Sequence, residues 1–145
     1  MGDSDKGNTI SSNGYGVSFL VNTEIGNPVI GNTIFDNPNG SIGQYSNIQK
    51  LASPTLFSAY VNSTNDSLII NHSGISETSS ENFLVDIFSN SSSPAIPQGE
   101  NIIKSKLSIT SDDLSTKTLA IPYTGSSNVF ISTTFTDDRL VTSEF

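Results

Sequence analysis

The chain has no cysteine and no tryptophan, a single histidine, and only six Lys or Arg residues against fourteen Asp or Glu in 145 residues. Without cysteine, disulfides and thiolate-held zinc are excluded. A net charge of −8, with the few cations scattered along the chain, argues against a nucleic-acid footprint, which needs clustered Lys and Arg. The same acidity disfavours anionic membranes. No apolar run approaches the roughly 18 residues of a membrane helix, and residues 1–6 carry no apolar stretch of the kind a signal peptide needs.

What is present instead is hydroxyl and amide. Ser, Thr and Asn supply 55 of the 145 residues. So polar a composition resembles that of disordered chains. Patches of Val, Ile, Leu and Phe interrupt it at strand spacing, however, so extended β-structure fits better than disorder.

The strongest internal signal is a repeat. Gly-Asn-Thr-Ile occurs at residues 7–10 and again at 31–34, and Asn13 and Gly16 recur as Asn37 and Gly40. A period of about 24 residues marks a solenoid whose units stack one on the next. Stacking places Ile10 over Ile34 inside the bore. Asn8 over Asn32, and Asn13 over Asn37, then form amide ladders at the corners. Residues 17–19 and 28–30 read as further short strands of the coil. Residues 44–54 carry no pattern and read as a connector.

Beyond the connector the period switches to two. Residues 55–61, 67–71, 82–89, 102–109, 117–121 and 129–136 read as strands, with a short closing strand at 141–145. Phe83, Val85 and Ile87 share one face of the third, and Val129, Ile131, Thr133 and Phe135 one face of the sixth. Turn clusters separate them, residues 111–113 among them, and no helix-period segment competes. Such spacing points to a two-sheet sandwich of immunoglobulin or fibronectin type. The expected organisation is therefore all-β: terminal coils of a right-handed parallel β-helix over 1–43, a connector at 44–54 and an immunoglobulin-like antiparallel β-sandwich over 55–145.

Nearly the whole chain resembles the C-terminal portion of bacterial right-handed β-helix repeat proteins, large exported or surface proteins that end in a small β-sandwich. Gly31-Asn32-Thr33-Ile34-Phe35-Asp36-Asn37 looks like that family's last coil. Asn47, Gln49, Pro54, Leu56, Ser58 and Ala59 are similar to its linker. Phe83-Leu84-Val85-Asp86-Ile87-Phe88-Ser89-Asn90 and Gly99-Glu100-Asn101-Ile102-Ile103-Lys104-Ser105 resemble two of its strands. The closing stretch shares Phe130, Thr134, Thr136, Asp137 and Thr142-Ser143-Glu144-Phe145. Where the family has Pro-Ala-Gly-Asn, this chain has Asp138-Arg139-Leu140-Val141. The resemblance implies a secreted or cell-surface setting and no catalytic residues in this segment.

Chemistry is sparse on the residues' own evidence. His72 is the one candidate base, and a lone histidine at a Ser/Asn-rich strand end reads as an exposed polar residue. The pairs Asp112-Asp113 and Asp137-Asp138 could supply carboxylates for glycosidic cleavage, but neighbours in turns more often cap backbone amides. Calcium is the metal these carboxylates suit, with Asp137, Asp138 and Glu144 as candidate ligands at one end of the sandwich, and the Asp3-Ser4-Asp5 stretch as a weaker one. Asn62, Asn65, Asn71 and Asn90 begin Asn-x-Ser/Thr sequons, a pattern expected by chance where hydroxyl residues are this frequent. The four tyrosines are scattered and read as half-buried core.

The function expected from this is a non-catalytic structural or adhesion module. It would cap an exported β-helix, with upstream coils as its partner and a surface glycan or protein as a further contact. The alternative is the non-catalytic end, or a carbohydrate-binding module, of a β-helix polysaccharide lyase or hydrolase. A self-assembling element, with exposed coil ends pairing between chains, is a third possibility. No cofactor is expected beyond a possible calcium ion.

Overall fold

The computed structural model describes residues 7–19, 28–44, 51, 55–64, 66–73, 82–93, 98–139, 141–143 and 145. Most of the expected connector, the Asp3-Ser4-Asp5 stretch, Tyr45, Asn65 and Glu144 lie outside them.

Short alternations of apolar and hydroxyl residues give four three-residue strands near the amino end: β1 (Thr9–Ser11), β2 (Val17–Phe19), β3 (Thr33–Phe35) and β4 (Ile42–Gln44). They pair in parallel, β1 with β3 and β2 with β4. Thr9 lies on Thr33, Ile10 on Ile34 and Ser11 on Phe35, so the two tetrapeptides stack in register. Ile34 is buried with Val29 and Ile42, and Ile10, Val17, Phe19 and Phe145 pack around them. The corner asparagines repeat one geometry. Asn13, Asn32 and Asn37 each donate Nδ2–H to the carbonyl two residues earlier. Asn32 and Asn37 accept at Oδ1 from the backbone N–H of Asn8 and Asn13, at 2.8 and 3.0 Å. The ladder thus runs mainly from amide oxygen to backbone rather than between side chains.

The second pair does not keep the repeat's offset. Val17 lies on Ile42 and Ser18 on Gly43, one residue further along than the tetrapeptides require. The extra residue is taken up at the Pro38–Asn39 turn, where Asn39 N–H donates to Gly14 O at 2.8 Å. Gly16 and Gly40, equivalent by sequence offset, are therefore not register partners. Gly16 is needed for close approach, since a Cβ there would lie 2.3 Å from Ser41 O and 2.5 Å from Ile34 Cγ2. Residues 28–30, expected as a short strand, form none, and β2 pairs with β4, which falls where no strand was expected.

The remaining chain forms β5 (Leu56–Asn62), β6 (Ser67–His72), β7 (Asn82–Asn90), β8 (Asn101–Thr110), one helical turn α1 (Ser111–Ser115), β9 (Thr118–Pro122) and β10 (Phe130–Asp137). The helical turn replaces the plain turn expected at 111–113. Among the described residues, the expected strand at 141–145 is seen as one bridge, between Thr136 and Thr142. Two antiparallel three-stranded sheets result, in the orders β5-β6-β9 and β10-β7-β8. They share one apolar core in which Leu68, Ile70, Leu119 and Ile121 of the first sheet meet Phe83, Val85, Ile87 and Phe135 of the second. Apart from α1, all regular structure among the described residues is β.

Strand β7 is central and buried on both faces. Val85 and Ile87 point into the shared core, and alternation sends Asp86 and Phe88, equally buried, to the opposite face. That face meets the stacked strands. The Phe88 ring lies edge-on to Phe145, centroids 5.2 Å apart, and Phe145 in turn packs on the Ile34 cluster.

Candidate functional site

A parallel ladder leaves hydrogen-bonding groups unpaired along its outer strand, and such an edge invites another chain to add to it. Here the outer edge of the second turn is β3 with the residues leading into it, and downstream groups occupy it. Val29 N–H donates to Thr142 Oγ1 at 2.9 Å. Gly31 N–H donates to Asp86 Oδ2. Ile34 exchanges both backbone hydrogen bonds with Gly99, each 2.8 Å long, in an antiparallel bridge. Asp36 N–H donates to Gln98 Oε1 at 3.1 Å.

Asp86 ties this edge to the second sheet. While one carboxylate oxygen accepts from Gly31, the other accepts Ser105 Oγ–H and Lys106 N–H, both at 2.8 Å. Those donors sit at a bulge in β8, where the register with β7 slips between Val85 and Ile87. Lys106 takes a φ of 54° there, which aims its N–H at the carboxylate. A charged side chain with 2% of its surface exposed is tolerable only when its lone pairs are met by donors, and these three meet them. Gly99 is equally constrained. A Cβ at that position would lie 2.6 Å from Phe88 Cδ1 and 2.7 Å from Phe145 Cε1, so only glycine lets the bridge to Ile34 close.

Beside the edge, a cleft of ≈ 790 Å³ runs between β1 and β3 on one side and Glu100 with residues 101–106 of β8 on the other. Thr9 and Thr33 line it with their hydroxyls 3.0 Å apart, next to Phe35. Lys104 and Lys106 line the opposite wall and are exposed. Glu100 also borders the cleft, with Oε2 taken by Ser91 N–H at 2.8 Å and Ser91 Oγ–H at 2.9 Å.

The residues singled out from sequence fall elsewhere. Asp137 is buried, and its carboxylate accepts from Arg139 Nε at 2.7 Å, from a second Arg139 nitrogen, and from the backbone N–H groups of Arg139 and Val141, each at 3.0 Å. That is the work of a turn cap. Asp138 is exposed, and Glu144 lies outside the described residues. Among the described residues no three His, Asp or Glu side chains gather as metal ligands would. Asp113 closes a capping box on α1, accepting Thr110 N–H at 2.8 Å and donating its own N–H to Thr110 Oγ1 at 3.2 Å. The Thr110 backbone and hydroxyl hydrogen bonds hold its pKa below the ordinary value.

His72 is not the exposed residue its surroundings in sequence suggest. It continues the Leu68–Ile70 face of β6 into the core, fully buried, with its ring centroid 6.3 Å from that of Phe135. Burial lowers its pKa from 6.5. Tyr123 is half-buried as expected, its hydroxyl on Ser126 O at 3.0 Å, whereas Tyr15 and Tyr60 are exposed, as are Phe57 and Phe130. Of the sequons, Asn90 is buried and donates to Ser132 Oγ at 3.1 Å.

Sequence reasoning missed Asp86, Lys104 and Lys106 as functional candidates. For Asp86 there was a signal, a lone carboxylate inside an otherwise apolar strand. For the lysines there was a weaker one, two of the few cations placed two residues apart. Comparison with known proteins leaves the chain without a counterpart: no family model matches it, and neither does any curated protein or solved structure.

Proposed function

We propose that this chain is a non-catalytic capping module: the closing coils of a longer exported, right-handed parallel β-helix, sealed by an immunoglobulin-like sandwich. The observation that carries this reading is the occupied edge. Val29, Gly31, Ile34 and Asp36, which would otherwise offer backbone groups to a following coil, are all engaged by residues 86–142. A solenoid needs such a terminus, because an open last coil is a template for aggregation. The opposite edge supports the same direction of assembly. Among the described residues β1 pairs only with β3, which leaves its outer side for a preceding coil.

The test is a fusion. A β-helical array cut so that its last coil is exposed, and therefore aggregating, is joined in register to the amino end of this chain. Capping predicts a monomeric fusion by light scattering, with cooperative melting of both parts. A fusion that aggregates as readily as the cut array, while the sandwich remains folded by circular dichroism, would rule the reading out.

A further inference from the structure

We infer that Asn13-Gly14, at the exposed corner of the first turn, is a site of spontaneous covalent modification. The asparagine amide closes on the Gly14 nitrogen to a succinimide, which water opens to aspartate or isoaspartate. This goes beyond capping and does not rest on it, since the reaction needs only the chain and solvent.

Asparagine is a labile residue, and its neighbour decides how labile. Ring closure requires the next residue's nitrogen to reach the side-chain Cγ and to carry a proton it can give up. The stacked turns offer four asparagines at their corners for comparison. Asn8 and Asn32 precede threonines, whose branched Cβ crowds the approach. Asn37 precedes Pro38, which has no N–H, and is itself buried. Asn13 is the one followed by glycine, with no Cβ in the way, and both residues are exposed. The outer corner is thus chemically convertible, while its equivalent one turn further on is not.

A second Asn-Gly pair, Asn39-Gly40, isolates the part played by the fold. Gly40 N–H donates to Asn37 O at 3.1 Å, so its nitrogen is occupied. Gly14 N–H is bonded to none of the described residues, and only the Gly14 carbonyl is used, by Asn39 N–H at 2.8 Å. The Asn13 amide itself is held by one exposed hydrogen bond, from Nδ2–H to Ser11 O at 3.0 Å.

In the first step the Gly14 nitrogen loses its proton and bonds Asn13 Cγ, while the Cγ–Nδ2 bond breaks and the amine leaves with that proton as ammonia. Water then adds to a ring carbonyl. Opening at Cγ gives aspartate. Opening at the main-chain carbonyl gives isoaspartate, which routes the backbone through the side chain and lengthens the corner. Either product loses the donor to Ser11 O. A preceding coil would cover this corner as Asn37 is covered, and that corollary alone rests on the capping reading.

The experiment keeps the intact folded chain in mildly alkaline heavy-oxygen water. Each asparagine is followed by peptide mass spectrometry, and isoaspartate by enzymatic methylation. Asn13 is expected to convert first. Asn39 follows about fivefold more slowly, the weight of the hydrogen bond Gly40 must release. Asn8, Asn32 and Asn37 stay unconverted over the same period. In urea the two Asn-Gly pairs converge. Gly14→Ala slows conversion severalfold without disturbing the fold, because a Cβ there meets only Asn39 Nδ2, at 3.4 Å. Absence of isoaspartate at position 13 overturns the proposal. So does an Asn39 that keeps pace in the folded chain, a difference that persists in urea, or a Gly14→Ala chain that converts as fast as the native one. Failure of the capping fusion leaves these rates untouched, and the converse also holds.

Discussion

Asp86 does at one position what a hydrogen-bonded strand does along its length. It replaces the missing neighbour of Gly31 on one side and holds the β8 bulge on the other. Removing it leaves the buried Gly31 N–H, and the part-buried Lys106 N–H and Ser105 hydroxyl, without that acceptor. Asp86→Ala is therefore expected to destabilise the chain by about 3 kcal/mol, read from the urea midpoint, and Asp86→Asn by about half as much. An exposed carboxylate such as Asp138 changed to Ala shifts the midpoint by only about 0.5 kcal/mol. Equal effects at the two positions would refute the assignment. The sequence placed Asp86 on the face opposite Val85 and Ile87, but alternation alone says nothing of what covers that face. A solvated carboxylate and a buried one look the same in a strand of this pattern. Asp137 shows the converse: its acidity was plain, but the Arg139 beside it turned a candidate ligand into a turn cap.

At the scale of elements, alternation carried most of the fold. Strands β5 to β10 fall within a residue or two of their expected positions, because β9 alternates in burial along its length and the apolar runs of β6 and β7 are bounded by polar turn residues. The errors have local causes. Residues 28–30 have apolar side chains, but Val29 spends its N–H on Thr142 rather than on a ladder. Strand β4 is three residues long and contains glycine, too little for periodicity to register. The one-residue slip between the two parallel ladders is invisible where Gly40 happens to copy Gly16. His72 was missed because the strand was ended one residue early; carried one step further, the Leu68–Ile70 face includes it. Its burial has a measurable consequence. With the folded pKa below 6.5, the unfolded chain binds the extra proton first as pH falls. Stability is then full above about 6.5, declines below it, and levels off once the folded-state pKa is passed. His72 is the chain's one histidine, so the urea midpoint should fall between pH 7.5 and 5.5 in the native chain. His72→Gln should remove most of that slope, and a slope that survives intact would place its origin elsewhere.

For the whole molecule, the joint between stacked strands and sheets rests on a few contacts around Gly99. Gly99→Ala should cost about 1–3 kcal/mol, since the added methyl must displace Phe88 or Phe145. Its specific sign is faster hydrogen exchange at Ile34 and Gly31 than in the core of β7, because the bridge opens before the sheets do. Uniform loss of protection would mean that the joint and the sheets melt as one unit. The repeat revealed that the first turns stack, but how their edge ends depends on groups far along the chain, which no local pattern displays. The Val29–Thr142 contact closes over 113 residues. During synthesis at about 5–20 residues per second, that last contact cannot form until roughly 6–23 s after Val29 is added. For that interval the nascent coil carries a sticky rim, and its protection then falls to chaperones, to the pace of translation, or to the sparse apolar content of the rim itself.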